Sequence, residues 1–255
     1  MHAERKTGGP GAAREKQIVL VVDGDPVSQF YTTVFLQRLN YHVVPVRSAE
    51  EALVIMELTA PLIVITEITL GQMSGLDFLK HLKQDPQRKG IPVLVYTAAR
   101  SYAQRSACIQ AGCADYLVHT SDHNVLYEAV QKATEQTPRH FVRLDTWLNA
   151  VMTAPGNEDQ TALVTAISEH GMFVTLPKPL PLGAAAWFTV LLENGGGRKF
   201  STEGKVLYSS PGGLGRTPGM GVKFVNMAPD QAKLIKGFIE ERLTAGLKAS
   251  EDRKE

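Results

Sequence analysis

Residues 61–82 read PLIVITEITLGQMSGLDFLKHL. The apolar run at 61–66 has the β-branched composition of a strand covered on both faces. A single acid, Glu67, ends it, a short LGQMSG turn follows, and residues 76–82 carry the spacing of an amphipathic helix. Strand, loop and helix together make one βα unit, and a strand buried on both faces implies a parallel sheet sandwiched between helices.

Working outward, the same unit recurs. Apolar runs at residues 17–22, 42–46, 91–97 and 115–118 bring the strand count to five. Between them, Val27, Phe30, Tyr31, Val34 and Phe35 share one helical stripe, Ser48 with Glu51 spells a capping box, and residues 102–111 and 124–133 supply two more helices. The expected fold of residues 17–136 is an α/β flavodoxin-like (βα)5 domain. After Thr137 the texture changes to Gly-rich turns and alternating strands at residues 146–154, 161–167, 172–176, 187–193, 199–209 and 221–226. Six such antiparallel strands close into a small, mainly-β barrel. Pro229 opens a helix whose Leu234, Ile235, Phe238, Ile239 and Leu243 form a stripe able to cover one barrel face, with Gly246 as its stop. The second domain is thus expected over 138–246, between disordered tails at 1–16 and 247–255.

Bulk composition narrows the function. Lys and Arg number 27 against 26 Asp and Glu, so there is no net field to gather a nucleic-acid polymer or an anionic membrane. Residues 138–255 alone hold 14 Lys and Arg against 12 Asp and Glu, and no recognition helix stands out. No apolar run reaches the roughly 20 residues of a membrane span, and residues 1–14 lack the apolar core of a secretion signal, so a cytoplasmic protein is expected. Cys108 and Cys113 form no second pair and the seven His are scattered, which points to reduced thiols and no structural metal. No catalytic constellation emerges, and the chain is read as a non-enzyme without a cofactor.

The motifs of the first half resemble the receiver domain of response regulators, from IVLVVDGDP through APLIVITEITLGQMSGLDFL and PVLVYTAA to AGCADYLVHTSD. The resemblance implies an acidic pair for Mg²⁺ after the first strand, a phospho-acceptor Asp after the third and a Lys after the fifth. Here Asp23 keeps the first acid, Gly24 stands at the second, Asp25 lies one residue on, Glu67 occupies the acceptor position and His119 replaces the Lys. Thr97 and Tyr116 match the family's switch residues. Glu67 reaches about 1.5 Å further than Asp, and a misplacement near 1 Å costs roughly a hundredfold in a positioned reaction. The domain is therefore read as a pseudo-receiver that is not phosphorylated and serves protein contacts. Glu67 has two readings. Its carboxylate either reaches Thr97 and fixes an active-like state, with His119 beside it, or is a drifted residue; the second is favoured, because alignment alone supplies no geometry for the first.

The second half resembles the PilZ domain over about residues 138–244. Arg139 and Arg143 form RxxxR, AISEHG stands where the family has DxSxxG or NxSxxG, and GKVLYS and GMGVKF follow in order. The resemblance implies cyclic di-GMP as ligand. Guanidinium forks on Arg139 and Arg143 suit its phosphates and the O6/N7 edge of guanine, Ser168 can offer a hydroxyl, and Gly171 permits close backbone approach. Ala166 replaces the family's Asp or Asn, and an unmet guanine donor costs about 1 to 3 kcal/mol. His140 and His170 flank the motifs as solvated loop residues, Gly183, Gly219 and Gly221 are assigned to turns and barrel corners, and Trp147 and Trp187 to barrel filling. The combined expectation is a cyclic di-GMP effector acting on a protein partner or a second copy in a homodimer. The alternative is an interaction scaffold that has lost both phosphorylation and nucleotide binding.

Overall fold

The computed structural model describes residues 18–120, 122–136, 141–156, 158–193, 197–213 and 217–245. The tails expected at 1–16 and 247–255, the stop at Gly246, and Arg139 and His140 lie outside the described residues. These residues fall into two compact units, one ending at Val142 and one beginning at Arg143.

The first unit runs β1 (Ile18–Val22), α1 (Pro26–Arg38), β2 (His42–Val46), α2 (Ala49–Leu58), β3 (Ile63–Thr66), α3 (Gly75–Gln84), β4 (Val93–Thr97), α4 (Tyr102–Gln110), β5 (Asp115–Val118) and α5 (His123–Thr134). Its five strands pair in parallel in the order β2-β1-β3-β4-β5, the doubly wound sheet expected from the sequence. The apolar runs explain the centre of the sheet: Leu20, Ile63, Val64, Val93 and Leu94 have no solvent exposure. Burying each such side chain contributes about 1.5 to 3 kcal/mol.

The cap of α2 was legible in the sequence, whereas Asp25, Ser74, Ser101 and Asp122, which cap α1, α3, α4 and α5, were not singled out there as caps. Ser48 accepts from the Glu51 amide at 3.2 Å, while the Glu51 carboxylate reaches one residue further back than a capping box requires and accepts from the Arg47 amide at 2.8 Å. α1 departs from expectation. Its buried face is Thr32, Thr33, Phe35 and Leu36, while Val27 and Phe30 of the anticipated stripe are 47% and 51% exposed. The helix starts at the carboxyl edge of the sheet, so its first turn has little sheet beneath it and only later turns pack down. Cys108 and Cys113 are free thiols, and burial pushes Cys113 up to about 11, which keeps it protonated and unreactive near neutrality.

The second unit runs β6 (Leu144–Thr153), β7 (Gln160–Ser168), β8 (Gly171–Thr175), β9 (Ala185–Leu191), β10 (Lys199–Ser210), β11 (Gly219–Val225) and α6 (Pro229–Thr244). The strands close in the order β10-β11-β8-β7-β6-β9, every pair antiparallel, with β9 returning to β10. Phe188, Val190, Phe200, Val206 and Met220 fill the interior at 1% exposure or less. α6 buries Ile235, Phe238, Ile239 and Leu243, four of the five residues of the stripe read from the sequence, and leaves Leu234 half-buried. It is tied to the barrel by Arg198, whose guanidinium donates to both Glu241 carboxylate oxygens at 2.8 and 2.7 Å and to Glu193 at 2.7 Å.

Two assignments change here. Trp147 and Trp187 do not fill the barrel; they occupy outward positions of β6 and β9 and are 73% and 51% exposed. Gly219 and Gly221 belong to strand β11 rather than to turns or corners. Gly221 makes room for the Tyr208 ring, and a Cβ on Gly219 would lie 2.7 Å from the Val174 carbonyl oxygen and 2.8 Å from the Phe173 ring. Gly183 does sit in a turn, with φ of +83°.

Candidate functional sites

Parallel strands end on one edge, and the backbone ladder continues a residue past three of them. The Asp23 amide donates to Val46 O at 3.0 Å, the Glu67 amide to Val22 O at 2.9 Å and the His119 amide to Thr97 O at 2.8 Å. These bonds fix Asp23, Glu67 and His119 at the carboxyl edge of β1, β3 and β5, next to Thr97 at the end of β4. The sequence-level grouping of these residues is thus a consequence of sheet order.

Both oxygens of the Glu67 carboxylate accept hydrogen bonds from the protein. Oε1 accepts from the Thr97 hydroxyl, from the Ile68 amide at 2.6 Å and from the Thr69 amide at 3.2 Å, and Oε2 accepts from the Ala98 amide at 3.2 Å. His119 Nε2 stands 3.9 Å from Oε2, beyond hydrogen-bond reach, with its ring against Tyr96 at 4.4 Å between centroids. The Thr97 hydroxyl also accepts from the Ala99 amide at 3.0 Å, and the Tyr116 hydroxyl donates to Ala99 O at 2.9 Å. A continuous hydrogen-bonded path therefore joins Glu67 through Thr97 and Ala99 to Tyr116, whose ring is 2% exposed. Gly75 holds the acid's turn: a Cβ there would collide with the Glu67 carbonyl oxygen and lie 2.9 Å from Ile68 Cα.

Mg²⁺ prefers near-octahedral oxygen ligands, with one or two carboxylates facing it. Asp23 is buried, and that burial holds its carboxyl above the ordinary range despite hydrogen bonds from Ser28 and the Asp25 amide. Gly24 offers no ligand. Asp25 is turned away as the N-cap of α1, accepting from the Ser28 amide at 3.0 Å and the Val27 amide at 3.4 Å. Gly24 brings no carboxylate, Asp25 is spent on the helix cap and the Glu67 oxygens already accept from four protein donors, so the residues present do not fit the ion, and among the described residues no group of three His, Cys, Asp or Glu is arranged to hold a metal.

In the barrel, residue alternation sorts two rows across the strands. Leu144 pairs with Ile167, Ile167 with Met172 and Met172 with Val222, all four buried and inward. The neighbouring row faces out: Asp145 pairs with Ala166, Ala166 with Phe173, Phe173 with Gly221 and Gly221 with Tyr208. Phe173 and Tyr208 stack over Gly221 with centroids 6.1 Å apart. Arg143, two residues before Asp145, is exposed.

Ser168 is buried, and its hydroxyl donates to Gly171 O at 3.0 Å, closing the β7–β8 turn. Gly171 is required by the packing of the sheet itself, because a Cβ would run into the Val222 carbonyl oxygen of β11. His170 is exposed, and its carbonyl accepts from the Phe224 amide at 3.0 Å. Asp145 and the aromatic row were not singled out from the sequence. The alternation of residues 143–145 was visible there, but the strand partners that give it meaning were not.

Known proteins resemble each half. A model described as "Response regulator receiver domain" matches residues 19–131, and one described as "PilZ domain" matches residues 137–241. The chain is 30% identical over 101 residues to two-component response regulator ORR3 of Oryza sativa subsp. japonica, covering 39% of this chain and 77% of that protein. It is 31% identical over 101 residues to response regulator ORR7 of the same subspecies, covering 39% of this chain; the chain spans about half of that relative's length, 48%. Among solved structures, chemotaxis response regulator CheY4 of Vibrio cholerae matches with a TM-score of 0.43 and 23% identity over 46% of this chain and 98% of that one.

Proposed function

The chain belongs to the response regulator receiver family, with a PilZ domain following the receiver, and on that basis we propose that this signalling protein is a cytosolic, non-catalytic cyclic di-GMP effector whose pseudo-receiver is not phosphorylated. Neither domain family is catalytic, and no helix among the described residues is long and apolar enough to cross a membrane. PilZ domains take cyclic di-GMP as their ligand; the receiver-like half passes the change to a protein partner or to a second copy of the chain.

The observation that carries the reading is a contrast in what each half leaves to solvent. The Glu67 carboxylate is consumed by four protein donors, whereas the Arg143 guanidinium is exposed beside an outward row of acid, methyl and aromatic groups. A planar cation of that kind suits phosphate and the O6/N7 edge of guanine. Arg139 is assigned the companion role on sequence grounds. Ser168 is assigned a part in closing the turn below the ligand, since its proton is directed at Gly171 O. Thr97, bonded directly to Glu67, and Tyr116, joined to it through Ala99 and Thr97, hold the receiver-like surface in one arrangement without a phosphoryl group.

The scaffold reading, in which nucleotide binding is also lost, draws on Ala166, which offers no acceptor. Calorimetric titration of the full chain with cyclic di-GMP, repeated on Arg143→Ala, separates the two. Heat in the parent that vanishes in the variant supports the effector. Silence in both leaves a docking protein.

A further inference from the structure

We propose that Asp145 supplies the guanine-binding carboxylate that position 166 lacks, an inference that rests on the cyclic di-GMP reading above. Guanine presents N1–H and N2–H₂ donors on one edge and O6 and N7 acceptors on another, so a site that selects it needs an anion and a cation on the same face. Asp145 and Arg143 provide that pair from one strand end, flanking the inward Leu144.

The register places the acid. Asp145 is the cross-strand partner of Ala166, and because the preceding pair, Leu144 and Ile167, is buried, the Asp145–Ala166 pair faces outward. Directly opposed Cβ atoms lie about 4.5 to 5.5 Å apart, so the Asp145 carboxylate meets a base lying over the Ala166 methyl from the β6 side. On the other side of Ala166 stands Phe173. The row therefore reads acid, small floor, aromatic wall.

The same register bears on the absence of an acid at position 166. Carboxylates directly opposed across a ladder repel, so an acid at 145 disfavours a second acid at 166. The acceptor has moved one strand over rather than disappeared.

The test is calorimetry on the full chain with cyclic di-GMP and, as a specificity control, cyclic di-AMP, whose adenine lacks the N1–H and N2–H₂ donors. The parent, Asp145→Ala, Ala166→Asp and the double variant Asp145→Ala/Ala166→Asp are compared. Asp145→Ala is expected to weaken cyclic di-GMP roughly tenfold or more and to shrink its preference over cyclic di-AMP. Ala166→Asp alone gives no gain, whereas in the Asp145→Ala background it restores affinity. If the parent binds and loses binding with Arg143→Ala, yet Asp145→Ala binds as the parent does, the Asp145 assignment fails and the effector reading stands. A loss in Asp145→Ala that the second carboxylate does not restore also overturns it. A silent parent removes both.

Discussion

Thr97 donates its hydroxyl hydrogen to Glu67 across the gap between β4 and β3, two residues separated by 30 positions in the chain. The longer side chain thus places a permanent carboxylate against the hydroxyl, in a family where that hydroxyl otherwise answers a transient phosphoryl group. Of the two readings of Glu67, the geometry supports contact with Thr97. His119 stands nearby without a hydrogen bond to it.

Chemical phosphorylation should therefore fail. Incubated with acetyl phosphate and Mg²⁺, the full chain should show no gain of a phosphoryl group by intact mass. A Cβ at Gly24 would meet only the Arg47 carbonyl oxygen at 3.6 Å, an ordinary contact, so the second acid can be installed. The triple variant Gly24→Asp/Glu67→Asp/His119→Lys is expected to acquire the modification. A gain in the parent that disappears in Glu67→Gln would reverse the conclusion.

Thr97→Val keeps the shape and deletes the donor. Hydrogen bonds to a charged group contribute about 1.5 to 3 kcal/mol, and a loss of that order is expected in the receiver-like domain. Scanning calorimetry of the full chain reads it as a lowered transition for that domain beside an unmoved barrel transition. An unchanged thermogram would mean that the Glu67–Thr97 bond carries no stability.

Two glycines should be intolerant for steric reasons in different domains. Gly75→Ala presses on the Glu67 carbonyl and Gly171→Ala on the Val222 carbonyl, so each has to displace backbone. Overpacking of this kind costs about 1 to 3 kcal/mol. The first substitution should lower only the receiver-like transition and the second only that of the barrel; equal behaviour of the two variants would contradict the assignment.

Asp23 gives a pH dependence of defined sign. Burial raises its folded value above the ordinary 3.8, so between those two values the unfolded chain binds fewer protons than the folded one. Stability from this group is full below 3.8 and is lost as pH rises through the raised folded value. Asp23→Asn removes that loss. Its melting-temperature gain over the parent should be larger at about pH 7.5 than at about pH 4.5, and an equal gain at both would show that the acid is not penalised.

Much of this protein was legible in its sequence, because apolar periodicity and caps are local properties. The five strands of the sheet, the six of the barrel and four of the five residues of the last helix's stripe, Ile235, Phe238, Ile239 and Leu243, follow from pattern, while the grouping of Asp23, Glu67, Thr97 and His119 was implied by the resemblance to the receiver family, whose doubly wound sheet gathers its site at the strands' carboxyl edge. What the fold alone decided were relations between distant segments. Periodicity predicts a stripe on α1 but not which turns have sheet beneath them, and it cannot say that Trp147 and Trp187 face out. Nor can it say that Asp145 lies opposite Ala166, since bulges between Asp145 and Leu148 and between Val164 and Ala166 reset the pairing there. A slip of one residue turns every side chain of a strand to the other face, so the placement of an acid beside a missing one is a property of register, which long-range strand pairing sets.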